Sequence, residues 1–444
     1  MVSLFANRTY AALFSAQVIA LLGTGLLTVA LGLLAYDLAG QRAGLVLGTA
    51  FTIKMVCYVG LSPVAQAIAQ RLPRKPVLVA ADLLRVGVAL CLPFVSEVWQ
   101  VYLLVFVLQS ASATFTPAYQ ATLPDLLPDE RDYTRALSLS RLAYDLENLT
   151  SPALAALMLT VTTYSALFAG TALGFAGSAV LIGLAAVPPL DPAPAARPFR
   201  ERLTRGARIY LATPRLRGLL ALNLAAASAG AFVLVNTVVL VRGQMGGTEA
   251  DLALAMAAFG AGSMTAALLL PRLLENVADR RVMLAGATGA ALSCVALAAW
   301  IAAAGLPSWA GFLGTWALIG LFYASVLTPS GRLLRRSAHP EDRPAVFAAQ
   351  FALSHACWLV TYPLAGWAGE ALGMPAALGV LGALALAGAA AGRAVWPGGQ
   401  PREIAHHHPD LPPDHPHLRE HGGAGRHSHA VVIDDLHPAW PDRS

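Results

Sequence analysis

Apolar stretches long enough to cross a lipid bilayer recur along most of this chain. A hydrocarbon layer about 30 Å thick is spanned by roughly 20 helical residues at 1.5 Å each. Twelve such stretches can be marked, near 10–36, 43–69, 76–95, 99–116, 134–160, 166–187, 217–241, 250–271, 282–304, 308–328, 345–369 and 373–396. Backbone amides in lipid must bond within their own segment, so each stretch is expected to be a helix and the whole an all-α membrane protein. Charged residues make up only 12% of the chain, about half the soluble-protein share. The first run, Ala11 to Leu34, is longer than the apolar core of a signal peptide and reads as an uncleaved first span.

Arginine placement gives an orientation. With a cytoplasmic N-terminus, the inside segments carry twenty positive residues and the outside loops two, Arg42 and Arg242. Such a bias places both termini in the cytoplasm of a multi-pass protein of the plasma (inner) membrane. The expected organisation is a six-helix bundle over 1–190, a basic cytoplasmic linker over 191–216, a second bundle over 217–396, and a tail over 397–444. In the linker, Phe199, Leu203 and Ile209 or Tyr210 recur at near-helical spacing among arginines, which fits either a helix lying on anionic headgroups or a solvated basic linker.

Composition also excludes several functions. Lys54 and Lys75 are the only lysines and neither stands in a Gly-Lys-Ser/Thr loop, so the chain holds no ATPase motor. His-Glu-x-x-His and Gly-x-Ser-x-Gly are absent, and the protein is not expected to be an enzyme or to bind nucleic acid. Cys57, Cys91, Cys294 and Cys357 all lie in apolar runs and read as inert buried thiols.

The two halves echo each other. Thr116-Pro117 matches Thr328-Pro329, and Pro128-Asp129-Glu130-Arg131 matches Pro340-Glu341-Asp342-Arg343, both at an offset of 212; Pro152 matches Pro363 at 211. "RKPVLVA" after the second span has its counterpart in "RRVMLA" after the eighth. Two six-helix repeats with substrate handled between them are the expected product. With these motifs the chain resembles the major facilitator superfamily over about 8–396, and most closely its drug and siderophore exporter-like branch. The loop after span two, "QAIAQRLPRK", keeps the family's basic positions at Arg71, Arg74 and Lys75 but has Gln66 and Gln70 in place of its glycine and aspartate; span five has Ser151-Pro152 where the antiporter signature has Gly-Pro. The resemblance implies gating roles for Arg71, Arg74 and Lys75. Pro117, Pro152, Pro329 and Pro363 free carbonyls and permit helix bending. It also implies that spans one, four, seven and ten line the cavity, offering Gln17, Thr24, Gln109, Asn223, Asn236 and Tyr323, an uncharged set suited to a hydrophobic or neutral solute.

Charges within spans are costly and tend to be functional or paired. In span five, Arg141 and Asp145 are four apart and suit an intrahelical pair, whereas Glu147 has no cation on its own helix face. A carboxyl so placed can take up and release protons as its surroundings change, so Glu147, with Asp145 beside it, is the proton-coupling candidate. Lys54 in span two and His355 in span eleven are further intramembrane polar residues, and the resemblance implies that these two spans meet.

Nine of the eleven histidines crowd into the last 39 residues: His406, His407, His408, His415, His417, His421, His427, His429 and His437. The surrounding Pro, Gly and Asp cannot build a core, so a disordered tail is expected. Its imidazoles could gather nickel, cobalt or zinc, although no cofactor is obligatory. In composition and position the tail is similar to those of nickel-resistance permeases of the same superfamily. The closing "HAVVIDDLHPAWP" could dock on the membrane domain or on a partner. Taken together the sequence predicts a secondary transporter in the lipid bilayer, exporting a small organic compound against protons. A nickel or cobalt efflux permease is the alternative, and a metal sensor without transport the remote one.

Overall fold

The computed structural model describes residues 2–61, 73–127, 129–187, 199–339 and 342–398, and in the tail 404–406, 418, 427–429, 431–434, 436–437 and 440. Among them are twelve long helices, here called spans one to twelve: Arg8–Ala39, Ala43–Val56, Arg74–Cys91, Val98–Leu126, Glu130–Leu159, Tyr164–Leu184, Pro214–Val238, Glu249–Asn276, Asp279–Ala304, Trp309–Leu327, Arg343–Ala371 and Met374–Val395. Spans two and seven each continue through a π-helical turn, Cys57–Leu61 and Val239–Gln244. Spans one and two form a single apolar run broken at Gly40, whose φ of 53° favours a residue without Cβ. In span five only Thr150–Leu159 is uniformly apolar, because its first two turns and its middle carry charges.

Span four runs to Leu126, ten residues beyond the expected end at 116, and span eleven passes unbroken through Pro363. Neighbouring helices re-satisfy the carbonyls that a proline frees, so the prolines do not end these spans. Span ten does stop near its proline: Pro329 precedes a short helix, Ser330–Arg335.

The packing repeats. Within the first half, span one packs on five and six, three on four and six, and two on four; seven packs on eleven and twelve, nine on ten and twelve, and eight on ten. Between the halves, two meets eleven and five meets eight. Exchanging the halves exchanges every one of these pairs for another, which is the contact pattern of a two-fold repeat.

One end breaks that closure. At the end away from the termini, called here the far end, a single apolar core joins both halves, from Leu26, Leu47 and Phe51 to Phe232, Trp316, Tyr362 and Leu378. Toward the terminal end the core separates into two. One holds Tyr10, Leu13, Leu78, Phe115 and Leu123 of the first half, and the other Tyr210, Leu219, Met283, Leu333 and Leu334 of the second. Among the described residues, one core joins the bundles at the far end, and each bundle has a core of its own at the terminal end.

The linker helix, Phe199–Ala212, lies on protein. Ile209 and Tyr210 are buried in the second-half core, Gly206 abuts the Ala345 carbonyl, and Arg205 donates to both carboxylate oxygens of Asp342 at 2.5 and 2.9 Å. Its amphipathic pattern was legible, but the partner of its apolar face is the start of span eleven rather than headgroups. In the tail, expected to lack structure, Ile404–His406 (β1) pairs antiparallel with His427–His429 (β2), and Leu418, Val431 and Ile433 are buried. Ile433 joins the second-half core, with Trp440 packed against it under the guanidinium of Arg215, 5.4 Å from the ring centroid.

Candidate functional site

Glu147 lies 17 residues into span five, about 26 Å from its start by helical rise. Its carboxylate can stand there because span one carries Gly25 opposite: a Cβ on Gly25 would come 3.3 Å from Glu147 Oε1 and would overlap Ser151. Ser151 Oγ is fully buried and has no hydrogen-bond partner among the described residues. The charge that acts on Glu147 comes from Lys54 of span two, and Glu147 acts on Lys54 in return. The free cation missing from the face of span five is thus supplied by another helix.

Lys54 leads into an aromatic group shared by the two halves. Its Nζ sits 5.9 Å from the Tyr58 ring centroid, and Tyr58 lies 5.5 Å from His355 and 6.0 Å from Phe351 of span eleven. His355 stacks on Phe351 at 3.9 Å and donates from Nδ1 to the Phe351 carbonyl at 2.7 Å, one helical turn back. That bond fixes Nδ1 as the protonated nitrogen and leaves Nε2 available. Lys54 acts electrostatically on His355 as well. Cys357 faces elsewhere, toward the carbonyls of Leu353 and Leu220, so it and His355 do not form a joint ligand pair. Further along, Trp358 packs on Tyr362 at 4.9 Å and on Tyr323 at 6.2 Å, and Gly230 of span seven admits the Trp358 ring.

The other anticipated residues are distributed as follows. Gln17 is buried and accepts from Ser140 Oγ at 3.0 Å, joining spans one and five. The Thr24 hydroxyl donates to the Ala20 carbonyl within its own helix. Gln109 is buried in span four, and Asn223 is buried in span seven with both amide atoms unpartnered among the described residues. Asn236 belongs to the shut far end. It donates to the Ala365 carbonyl at 3.0 Å, and its Oδ1 lies where a Cβ on Gly44 or Gly369 would stand. Lys75 donates to the Ala185 carbonyl at 3.0 Å, tying the start of span three to the end of six. Arg74 opens span three and Arg71 lies outside the described residues, as do His407, His408, His415, His417 and His421. The backbones of Pro117, Arg141, Asp145, His406, His427 and His429 are described, but their side chains are not; Pro152 sits beside Ser151 inside span five. His437 is buried and engages Asp434 Oδ1 at 2.9 Å through Nδ1. Among the described residues no group of three metal-ligating side chains converges.

Two ionic clusters escaped the sequence reading, one of them wholly buried. Asp82 pairs with Arg85 one turn on and accepts from Ser178 Oγ at 2.7 Å, while the Arg85 guanidinium lies between Phe115 and Phe175, 4.4 Å from each centroid. In the second half, Asp279 at the start of span nine binds both Arg332 and Arg336, beyond the end of span ten. The signal was present in "ADLLRVG", an acid and a base three apart in an otherwise apolar span.

At the far end, Arg42 pairs with Glu370 at 2.6 Å and Gln41 donates to the Gly243 carbonyl at 3.1 Å, each joining one half to the other. Deeper, a Cβ on Gly48 would lie 2.7 Å from the Tyr362 carbonyl, and one on Gly366 would lie 2.7 Å from the Gly44 carbonyl. Spans two and eleven therefore touch backbone to backbone, as small residues permit in membranes.

Comparison with known proteins agrees with this architecture. The family model described as Major Facilitator Superfamily matches residues 13–243 and 218–423. Macrolide efflux protein A of Streptococcus pyogenes is 25% identical over 183 residues, 40% of this chain and 44% of that protein. The protein of the same name from Enterococcus faecalis is 28% identical over 138 residues, 30% of this chain and 42% of that one. The chain thus spans less than half the length of the curated relatives it matches. Among solved structures, a POT family transporter superposes with a TM-score of 0.65 at 13% identity, over 86% of this chain and 95% of that one. A bacterial homologue of the human lysosomal transporter Spinster, in an inward-facing and unoccupied conformation, gives 0.65 at 12% identity over 87% and 96%.

Proposed function

Because the chain belongs to the Major Facilitator Superfamily, we propose that it exports a small, largely hydrophobic organic compound in exchange for protons, with Glu147 carrying the proton. The observation that carries this reading is the opposition of Glu147 and Lys54 inside the bundle. Two opposite charges held out of water stabilise each other, and neutralising one leaves the other uncompensated at a cost of several kcal/mol. Protonation of Glu147 therefore changes the charge of the interior, and with it the relative free energy of the two access states.

The chemistry of the walls supports the substrate class. Tyr58, Phe351, Trp358 and Tyr323 offer aromatic surface where the halves meet, and the matched relatives are named for macrolide efflux. The shared core at the far end and the separate cores at the terminal end among the described residues support a state open toward the terminal end. The arginine bias supports a cytoplasmic terminal end, and on that reading this is the state that loads cargo for export. Nickel or cobalt efflux has no comparable support from the spans, since no ligating group of three converges among the described residues.

The test is efflux in proteoliposomes. A macrolide or a hydrophobic fluorescent dye should be driven across the membrane by an imposed pH gradient, with proton movement in the opposite direction. Transport that ignores the gradient, or that carries nickel and not the organic compound, would refute the proposal.

A further inference from the structure

The histidine of span eleven holds a hydrogen-bonding atom that proton exchange at Glu147 does not use. Phe347, Phe351, His355, Trp358 and Tyr362 follow one another three or four residues apart and form one stripe along span eleven. Tyr362 packs on Phe51 of span two, 5.0 Å between centroids, inside the core shared by the two halves. Trp358 and His355 are half-buried, and Phe351 and Phe347 are each 40% exposed, so the stripe opens by degrees toward the terminal end. Across from it stands the first half: the Tyr58 ring lies 5.5 Å from His355, and Lys54 sits one turn before Tyr58. Both of these are half-buried as well. His355 thus lies where the halves face each other.

Its ring has a fixed orientation. A carbonyl can only accept, so the 2.7 Å contact with Phe351 makes Nδ1 the donor. Ser354 Oγ donates to the same carbonyl at 3.0 Å and does not compete for Nδ1. With Nδ1 turned back onto its own helix, Nε2 is the acceptor of the neutral imidazole and points away from span eleven. Among the described residues Nε2 has no hydrogen-bond partner. We propose that His355 Nε2 is a cargo-recognition site, accepting a hydrogen bond from a hydroxyl group on an apolar molecule whose body lies against Tyr58, Phe351 and Trp358. Lys54 acts electrostatically on His355, so an ammonium donor is repelled there and a neutral hydroxyl is not. This deepens the export reading and rests on it: Glu147 carries the proton, and His355 selects the cargo.

The test uses the full-length protein in lipid nanodiscs, with pyrenemethanol and its methyl ether as probes. The two share one apolar body, and only the alcohol carries a donor. Binding is read as saturable quenching of tryptophan emission by the pyrene, with no gradient imposed. His355→Phe keeps an aromatic ring and removes the acceptor. The ratio of alcohol to ether affinity should be about fivefold higher in the unaltered protein than in this variant, the worth of one hydrogen bond. Affinity for the ether should be the same in both, which also shows that the variant is folded. Cys357→Ala, turned toward span seven, should keep the unaltered ratio. A ratio unchanged in His355→Phe, or loss of the ether together with the alcohol, would overturn the proposal. Binding is read without flux, so the two readings fail separately. A shifted ratio without gradient-driven transport of pyrenemethanol refutes export and leaves the recognition site standing; transport with an unchanged ratio does the reverse.

Discussion

Glu147 of span five and Lys54 of span two are opposite charges that act on each other electrostatically from two helices beginning at different ends of the same bundle. Neither has an opposite charge on its own helix face, and only the fold sets the two against each other. The relationship predicts a signature in stability. Lys54→Met or Glu147→Gln alone should lower the unfolding temperature in detergent, at a cost of several kcal/mol. The double variant should recover part of that loss, because no uncompensated charge remains. Strictly additive losses would show that the two do not interact.

Gly25 sets the approach of span one to that pair. Its replacement by alanine should force spans one and five apart and cost about 1–3 kcal/mol through overpacking, with loss of transport. Since the overlap is with Ser151, the second change Ser151→Gly should restore both stability and transport. Failure of that rescue in a thermal-shift and flux assay would mean that the tight approach is not what Gly25 provides.

At the far end, Gly48 and Gly366 let spans two and eleven meet at the backbone. Gly366→Leu should wedge that end open and bias the protein toward the opposite access state. Spin labels at Gln41→Cys and Leu372→Cys should then report a longer distance than in the unaltered background. An unchanged distribution would place the gate elsewhere. The exposed Arg42–Glu370 bridge should matter less, since Arg42 is 68% exposed and surface pairs contribute at most about 1 kcal/mol.

The docked end of the tail has its own pH dependence. Burial by itself would raise the Asp434 carboxyl, but hydrogen bonds from His437 and His339 outweigh it and hold the group well below the usual carboxylate range. A carboxyl depressed in the docked state stabilises docking fully above its free value near 3.9 and loses that contribution as pH falls through the lower docked value. The Asp434 contribution should therefore be constant from about pH 5 upward. Asp434→Asn should release the segment at every pH, seen as faster amide exchange at Val431 to Ile433. Acid release already near pH 6 in the unaltered protein would contradict this account of the contact.

Much of the fold was legible because lipid leaves few options. Runs of about 20 apolar residues become helices whatever their neighbours, and the matched offsets of Thr116-Pro117 and Thr328-Pro329 announced the repeat. Span five was recognisable in spite of its charges, from Pro152 and its flanking apolar turn. The site was less legible. Glu147 and Lys54 could each be singled out as misplaced charges, but pairing them requires the rotation of two helices about their axes, which sequence periodicity in uniformly apolar spans does not record. Asn236 read as a cavity residue because it is polar on a central span. Its role at the closed end depends on Gly44 and Gly369, glycines from two other helices. Asp82 and Arg85 were overlooked because their charges cancel within one turn, so the span still reads as apolar.

The most direct test of the central claim compares two modes of flux in Glu147→Gln proteoliposomes. Substrate exchange between equal pools needs only alternating access, whereas uphill movement driven by a pH gradient needs a proton carrier. The account predicts that the variant retains exchange and loses gradient-driven accumulation. Full gradient-driven accumulation in Glu147→Gln would contradict it.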